Sequence, residues 1–304
     1  MASSGMKYAL RLAYDGGAFS GWQAQGHSLG VQQVVEDALG ALHGGVPIAV
    51  SAAGRTDAGV HARRQVVSFH TPRSWEPEML RRAMDARMPQ TVRALGVSPV
   101  PPDFDARHSA RWREYVYFLW AAPGTYPHLH AMTWWIHRPW HREDVRRACA
   151  LLPGTHDFSA FCRAADRPER TLRTIFSARL SCRGPLWWFR IRGNAFLTNM
   201  VRILVGSLAE VGRGRRSVAW FASLLEGDSR SMAGMTAPPQ GLFLWNVGYG
   251  EEGKKLLWGK AESSIVCSGP PEPPEAGVPE HRGGCGSATE HDEAQFLDEG
   301  TQRG

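Results

Sequence analysis

The same succession of strand-like and helix-like patterns occurs twice along this chain, and that repeat restricts the fold more than any other feature. In the first half, alternating apolar residues predict a strand at residues 7–14, and apolar residues three and four positions apart predict a helix from Val31. The patterns that follow are strands at residues 48–53 and 66–69, a helix from Pro77, and a strand at residues 92–100. The first half is therefore predicted to be β-α-β-β-α-β.

The second half repeats this order after a stiff Pro-Val-Pro-Pro break at residues 99–102, which marks a domain boundary. Its predicted elements are a strand at 112–120, a helix at 142–152, strands near 174–181 and 187–191, helices at 195–211 and 218–225, and a strand at 242–247. Two such units indicate an α+β protein with two ferredoxin-like halves, residues 1–100 and 101–250, whose helices pack on antiparallel sheets. We expect the functional site in the cleft between the halves.

Residues 251–304 differ in composition from the two halves. They are rich in Pro, Gly, Glu and Ser and have few spaced apolar residues, so they are predicted to form a disordered acidic tail. This segment holds 5 of the 35 Lys and Arg residues and 11 of the 29 Asp and Glu residues, so residues 1–250 carry a net charge of +12, against +6 for the whole chain. Residues 1–250 are basic enough to favour a polyanionic partner. The composition is equally consistent with a solvated basic surface that aids solubility.

Several classes of protein are disfavoured by the sequence. The longest apolar run, near residues 196–205, is interrupted by Thr198, Asn199 and Arg202, whereas a membrane span needs about 20 apolar residues. Five widely spaced cysteines without a Cys-x-x-Cys pair argue against a disulfide framework and a zinc site, and the histidine pairs lack the spacing of metal ligands. Residues 1–6 contain no apolar signal core. We therefore expect a cytoplasmic protein with no metal and no membrane contact.

A polar turn between two predicted strands, Gly-Arg-Thr-Asp-Ala-Gly-Val-His-Ala at residues 54–62, presents a single carboxylate. Gly54 and Gly59 permit backbone angles and close approaches that other residues resist, so Asp57 can be held beside a bulky ligand. Arg55 lies close enough to pair with that acid or with a phosphate. An Asp in such a turn more often satisfies its own backbone as an Asx-turn residue, and the residue types alone favour that interpretation.

Four stretches, in this order, nevertheless resemble the motifs of the tRNA pseudouridine synthase A family over about residues 7–248. They are Arg-Thr-Asp-Ala-Gly-Val-His at 55–61, Arg-Trp-Arg-Glu-Tyr-Val-Tyr at 111–117, Asn-Ala-Phe-Leu-Thr-Asn-Met-Val-Arg at 194–202 and Pro-Pro-Gln-Gly-Leu-Phe-Leu at 238–244. The resemblance implies that Asp57 is the catalytic nucleophile, that Tyr115 packs on the target base, and that Arg202 pairs with Asp57. It also implies that Leu242 lines the uracil pocket. From residue types alone, Tyr115 is better explained as a core aromatic, and Leu242 equally well as a buried strand residue.

Two basic loop segments resemble stretches that contact tRNA in the same family. One includes Arg170, and the other consists of Phe104, Asp105, Ala106, Arg107 and His108. Contacts of this kind mostly position the RNA backbone. Arg55 is expected to join them near a flipped nucleotide, because a stacked base must leave its helix before the chemistry can reach it.

The resemblance implies an isomerase that converts uridine to pseudouridine in the anticodon stem-loop of tRNA, at positions 38, 39 and 40. This reaction detaches uracil from ribose and rejoins it through carbon, so it requires no cofactor and no metal; an Asp can attack or stabilise the cation-like sugar. The family works as a homodimer, which we also expect here. One alternative is a non-catalytic RNA-binding protein on the same scaffold, but the joint presence of Asp57, Tyr115 and Arg202 argues against it. A two-carboxylate glycosidase is less favoured, because no second acid lies in a comparable setting.

Overall fold

The computed structural model describes residues 5–23, 28–250 and Leu257, which form a mixed α+β structure built on one ten-stranded sheet. In chain order the elements are β1 (Met6–Tyr14), α1 (Val31–Leu42), β2 (Ser51–Ala52), β3 (His61–Thr71), α2 (Pro77–Asp85), β4 (Val92–Pro99), β5 (Trp112–Ala121), β6 (Trp134–Ile136), α3 (Arg142–Ala150), β7 (Gly154–Asp157), β8 (Leu172–Arg183), β9 (Leu186–Gly193), α4 (Met200–Gly212), α5 (Val218–Ser223) and β10 (Leu242–Gly248). Most neighbouring strands are antiparallel; the parallel pairs are β3 with β10 and β5 with β6. The predicted α+β class with antiparallel pairing is confirmed.

The last of these strands along the chain, β10, lies in the middle of the sheet. The strand order is β4-β1-β3-β10-β5-β9-β8-β7, with β2 beside β3 and β6 beside β5. Phe243 of β10 lies opposite His61 of β3 in parallel register, and Leu244 lies opposite Tyr115 of β5 in antiparallel register. The strands of residues 1–100 and those of residues 101–250 are thus joined into one sheet by β10.

Local sequence explains which sides the elements bury and where they begin. In β1, Tyr8, Leu10 and Leu12 alternate along the strand and are fully buried, as the period of two predicts. Helix α2 begins at Pro77, whose missing N–H is not needed in a first turn. The carboxylate of Glu76 caps this helix, because it accepts hydrogen bonds from two N–H groups of the first turn at 3.1 and 2.6 Å.

Several elements of the structure differ from the prediction in their bounds or were not predicted. The helix expected at residues 195–211 begins only at Met200, because the residue before it, Asn199, has a left-handed backbone with a φ of 61° and cannot belong to a right-handed helix. The strand expected at residues 48–53 is reduced to the two residues of β2, and the short strands β6 and β7 were not predicted. The predicted tail, residues 251–304, lies outside the described residues except for Leu257, which is buried. Across the described ranges, no helix has the length and apolar character that a membrane crossing requires.

Candidate active site

The turn between β2 and β3 is held in place through Thr56, the residue before Asp57. The carbonyl of Thr56 accepts the N–H of Trp22 at 3.0 Å, and its hydroxyl is 2.9 Å from the hydroxyl of Tyr14. Burial raises the pKa of Tyr14 to about 12, although the Thr56 hydrogen bond opposes this, so the phenol stays protonated at neutral pH. Gly21 permits the close contact: its φ is +101°, and a Cβ there would lie 2.9 Å from the Thr56 carbonyl oxygen.

The two glycines of the turn have different roles. Gly59 has a φ of +77°, and a Cβ at this position would lie 2.9 Å from Cγ of Pro239, so both the backbone and the packing require glycine. Gly54 is not among the residues with positive φ, and a Cβ there would meet the Tyr115 hydroxyl at an ordinary 3.7 Å. The conformational requirement predicted for both glycines therefore holds for Gly59 and is wrong for Gly54.

Asp57 contacts Arg202 of helix α4, which lies 145 positions further along the chain. Nη1 of Arg202 donates to Oδ2 of Asp57 at 3.2 Å, and the two side chains are 15% and 26% exposed, with Arg202 the more buried. Two further groups fix the guanidinium: Oδ1 of Asn199 accepts from Nη1 at 2.8 Å, and the carbonyl of Ala237 accepts from Nε at 2.8 Å. The structure thus brings together the Asp57 carboxylate and the Arg202 guanidinium, which were expected to pair.

The electrostatic state of Asp57 is set by two opposing effects. Burial raises the pKa of its carboxyl above the ordinary value, while the charge and the hydrogen bond of Arg202 lower it, and burial prevails. A carboxylate that is partly removed from water, yet paired through one oxygen with an arginine, is less solvated than a surface Asp. Such a group can act as a nucleophile or a base towards a substrate that excludes the remaining water.

Tyr115 and Leu242 lie on adjacent strands, β5 and β10, and both side chains are buried. The ring of Tyr115 meets that of Phe196 edge to face, with centroids 5.0 Å apart. Burial, with nearby Tyr14 and Asp57, raises the pKa of Tyr115, so its hydroxyl remains protonated. These residues supply an apolar, aromatic wall next to the turn of Asp57, of the kind on which a base can pack.

The segment predicted to contact RNA divides into buried and exposed residues. Phe104 is buried against Tyr249, with ring centroids 5.2 Å apart, and Ala106 is fully buried. Arg107 and His108 are exposed, and both of their N–H groups donate to Oδ1 of Asp105, at 2.9 and 2.8 Å. Within the predicted segment, Arg107 and His108 therefore present their side chains to solvent, whereas Phe104 and Ala106 pack in the core.

The other predicted RNA-facing arginines are exposed. Arg55 and Arg170 both have exposed side chains. Within the part of the chain that the structure describes, the Arg55 guanidinium makes no hydrogen bond or ion pair, so it is available to a phosphate beside Asp57.

Arg113 is a residue of the site that the sequence analysis missed. Its guanidinium directs five N–H bonds to backbone carbonyls: two to Ala53 at 3.0 and 2.8 Å, and one each to Ala110, Asn194 and Arg107. These carbonyls include those of the approach to the Asp57 turn, of the segment predicted to contact RNA and of the third motif. Arg113 shares the inward face of β5 with Tyr115, and this alternation was the available signal, because an inward arginine requires buried partners.

Comparison with known families identifies the class of protein to which this site belongs. A family model described as tRNA pseudouridine synthase matches residues 12–109 and 148–250, which contain both Asp57 and Arg202. The chain belongs to the tRNA pseudouridine synthase family.

The curated relatives are more specific, since those similar to this chain bear the name tRNA pseudouridine synthase A. The relative from Geobacillus kaustophilus is 42% identical over 241 residues, which cover 79% of this chain and 93% of the relative. That from Halalkalibacterium halodurans is 42% identical over 236 residues, 78% of this chain and 90% of the relative. That from Burkholderia cenocepacia is 41% identical over 247 residues, 81% of this chain and 91% of the relative. The predicted family, and with it an isomerase acting on tRNA, is confirmed.

Proposed function

We propose that this protein converts uridine to pseudouridine at positions 38, 39 and 40 of the tRNA anticodon stem-loop, with Asp57 as its nucleophile. The observation that carries the proposal is the 3.2 Å ion pair between Arg202 and Asp57, formed between two of the four family motifs. In the described residues around this pair, no second carboxylate makes a hydrogen bond or ion pair with Arg202. Asp166 also acts electrostatically on Asp57, but it is paired with Arg163 at 2.6 Å, so the chemistry is assigned to Asp57 alone.

The reaction breaks the N1–C1′ bond of uridine, forms a C5–C1′ bond, releases the proton from C5 and leaves N1 protonated, so that the product is an isomer of the substrate. Asp57 serves this exchange as the group that attacks or stabilises the nucleotide while uracil is detached and turned. Arg202 holds the carboxylate and balances its charge. Tyr115 packs on the uracil ring, and Leu242 closes the pocket against water, so that the free base stays in place until it is rejoined.

Binding of the tRNA is assigned mainly to phosphate contacts. The net charge of +12 over residues 1–250 favours a polyanion. Arg107, His108 and Arg170 have exposed side chains on loops, and Arg55 is exposed two residues from Asp57. We assign the first three to the stem and Arg55 to the flipped nucleotide, because a uridine paired or stacked in the stem must turn out to reach Asp57.

The architecture proposed from sequence is two ferredoxin-like halves divided near residue 100. The strand orders β4-β1-β3-β2 and β10-β5-β9-β8 support it, because each half has the same order relative to its own β-α-β-β-α-β sequence. We also propose a homodimer, as the family implies. Partly exposed aromatic residues on the central strands support it: Phe118 lies 5.4 Å from Phe243 and 5.8 Å from Trp245 between ring centroids. Sedimentation velocity of the full chain tests this, and a monomer at micromolar concentration contradicts it.

The catalytic proposal is tested with Asp57→Asn, which keeps the shape of the side chain and removes its charge. Release of tritium from tRNA that carries 5-tritiated uridine should fall to background, because an amide cannot act as the nucleophile. Filter binding should give a tRNA Kd within a few fold of wild type, because the phosphate contacts are elsewhere. Asp37→Asn, at an exposed Asp on α1, is the matched control and should retain full activity.

Two outcomes contradict the proposal in different ways. Near-normal tritium release by Asp57→Asn excludes Asp57 as the nucleophile. Parallel loss of tRNA binding and activity identifies Asp57 instead as a structural residue of the turn, as expected for a non-catalytic RNA-binding protein.

A further inference from the structure

Asn199 adopts a backbone conformation found in no other non-glycine residue among those described. Its φ is 61° and its ψ is 2°, in the left-handed region, which costs energy for any residue with a side chain and is tolerated best by Asn and Asp. Asn199 immediately precedes helix α4, at the N-cap position. Residues there are usually extended and cap the helix with their side chain, but the Asn199 side chain makes no capping hydrogen bond. Two local preferences are therefore broken at one residue, a pattern that is concentrated at functional sites.

The side chain of Asn199 makes a different contact in place of the cap. Its Oδ1 accepts from Nη1 of Arg202 at 2.8 Å, the same nitrogen that donates to Oδ2 of Asp57 at 3.2 Å. The carbonyl of Ala237 accepts from Nε of Arg202 at 2.8 Å. Arg202 is thus fixed at two points by groups other than Asp57, and both of those contacts are shorter than the contact to the acid.

We propose that Asn199 is a positioning residue, whose side-chain carbonyl holds the Arg202 guanidinium in the orientation that Asp57 requires. This inference rests on the proposed catalytic role of Asp57. The left-handed backbone is the conformation that turns the Asn199 side chain away from the helix N-terminus and towards the guanidinium. Because Arg202 is held independently of Asp57, its orientation is kept while the carboxylate engages a nucleotide.

The test variant is Asn199→Gly, because glycine adopts the left-handed conformation readily and removes only the acceptor. The tRNA Kd should match wild type, and the melting temperature should fall by no more than a few degrees, because relief of the left-handed strain offsets part of the lost hydrogen bond. In contrast, kcat for tritium release should fall about 10- to 100-fold, the size of one hydrogen bond to a charged group. The acid limb of the pH profile should move to higher pH. The charged groups near Asp57 are Arg202, Arg163 and Asp166, and of these Arg202 is the one that Asn199 holds.

Asn199→Asp is the conservative variant, since it keeps an Oδ acceptor and tolerates the same backbone. At a pH where both carboxylates are ionised, its kcat should recover to within a few fold of wild type. Its acid limb should lie at higher pH than that of wild type, because a second carboxylate reduces the positive charge that Arg202 presents to Asp57.

The outcomes separate this inference from the proposed function. A wild-type kcat and pH profile for Asn199→Gly overturns the inference, because a residue required only for the left-handed turn is replaced by glycine without loss. A lower melting temperature with equal losses of binding and activity also overturns it and assigns a structural role. Measured in parallel, an active Asp57→Asn refutes the proposed function itself, whereas an inactive one beside a normal Asn199→Gly refutes only the inference.

Discussion

Replacing Arg113 with Lys tests whether the conformation of the Asp57 turn depends on a guanidinium near the start of β5. Arg113 uses all five of its N–H groups on four backbone carbonyls, two of them on Ala53 alone. Lysine keeps the charge but offers three N–H groups on a single nitrogen. It therefore cannot reproduce the two hydrogen bonds to the Ala53 carbonyl while it also reaches the carbonyls of the other segments. At least two hydrogen bonds are lost.

The size of the effect depends on which carbonyls water can reach. Arg107 is exposed and Ala110 and Asn194 are partly exposed, so their carbonyls can be rehydrated, whereas Ala53 is buried. A buried carbonyl that loses a charged donor costs about 1.5 to 3 kcal/mol. With about 2 to 4 °C of melting temperature per kcal/mol in a protein of this size class, Arg113→Lys should lower the Tm by roughly 3 to 12 °C.

The assay combines calorimetry, tritium release and filter binding. We expect kcat to fall more than tRNA affinity, because Ala53 leads directly into the turn that carries Asp57. Arg111→Lys, an exposed arginine two residues earlier, is the matched control and should change stability by no more than about 0.5 kcal/mol. If Arg113→Lys melts and turns over like wild type, the turn does not depend on this guanidinium and the reasoning is refuted.

Three further predictions follow from the site. Gly44→Ala and Gly59→Ala both introduce a side chain at positive φ, and Gly44→Ala should cost about 1 to 2 kcal/mol in chemical denaturation. Gly59→Ala also clashes with the Pro239 ring, so it should cost more than Gly44→Ala, and it alone should reduce kcat. Arg107→Ala should weaken tRNA binding and flatten its dependence on salt, whereas Arg82→Ala, an exposed arginine on α2, should leave the slope unchanged in filter binding. Because burial raises the pKa of Asp57 and the carboxylate is the reacting form, kcat/KM should begin to fall at a higher pH than for a solvent-exposed Asp; a pH–rate profile whose acid limb lies at the ordinary Asp pKa contradicts this.

The elements that were predicted well are those whose pattern is local. The alternation of Tyr8, Leu10 and Leu12 and the spacing of Val31 and Val35 are visible in the sequence, and β1 and α1 follow them. The strands β2, β6 and β7 have two to four residues each and exist because a longer strand pairs with them, which no local pattern encodes.

The residues of the site differ in the same respect, because some were predicted from the sequence and others were not. Asp57 and Arg202 were predicted through motifs, whose side chains are themselves the signal. The partners of Arg113 could not be predicted, because they are backbone carbonyls. The contact of Asn199 could not be predicted, because it depends on a left-handed conformation that an asparagine permits but does not require. A sequence shows which side chains could react, whereas the backbone groups that orient those side chains are known only from the folded structure.

The central position of β10 has a consequence for synthesis of the chain. Residues 242–248 leave the ribosome after all the other strands that the structure describes, yet they lie between β3 and β5. Until they are inserted, the start of β3 and the whole β10-facing side of β5 expose unpaired N–H and C=O groups, which invite pairing with other nascent chains. A chain truncated shortly before residue 242 therefore contains both members of the Arg202–Asp57 ion pair but should aggregate.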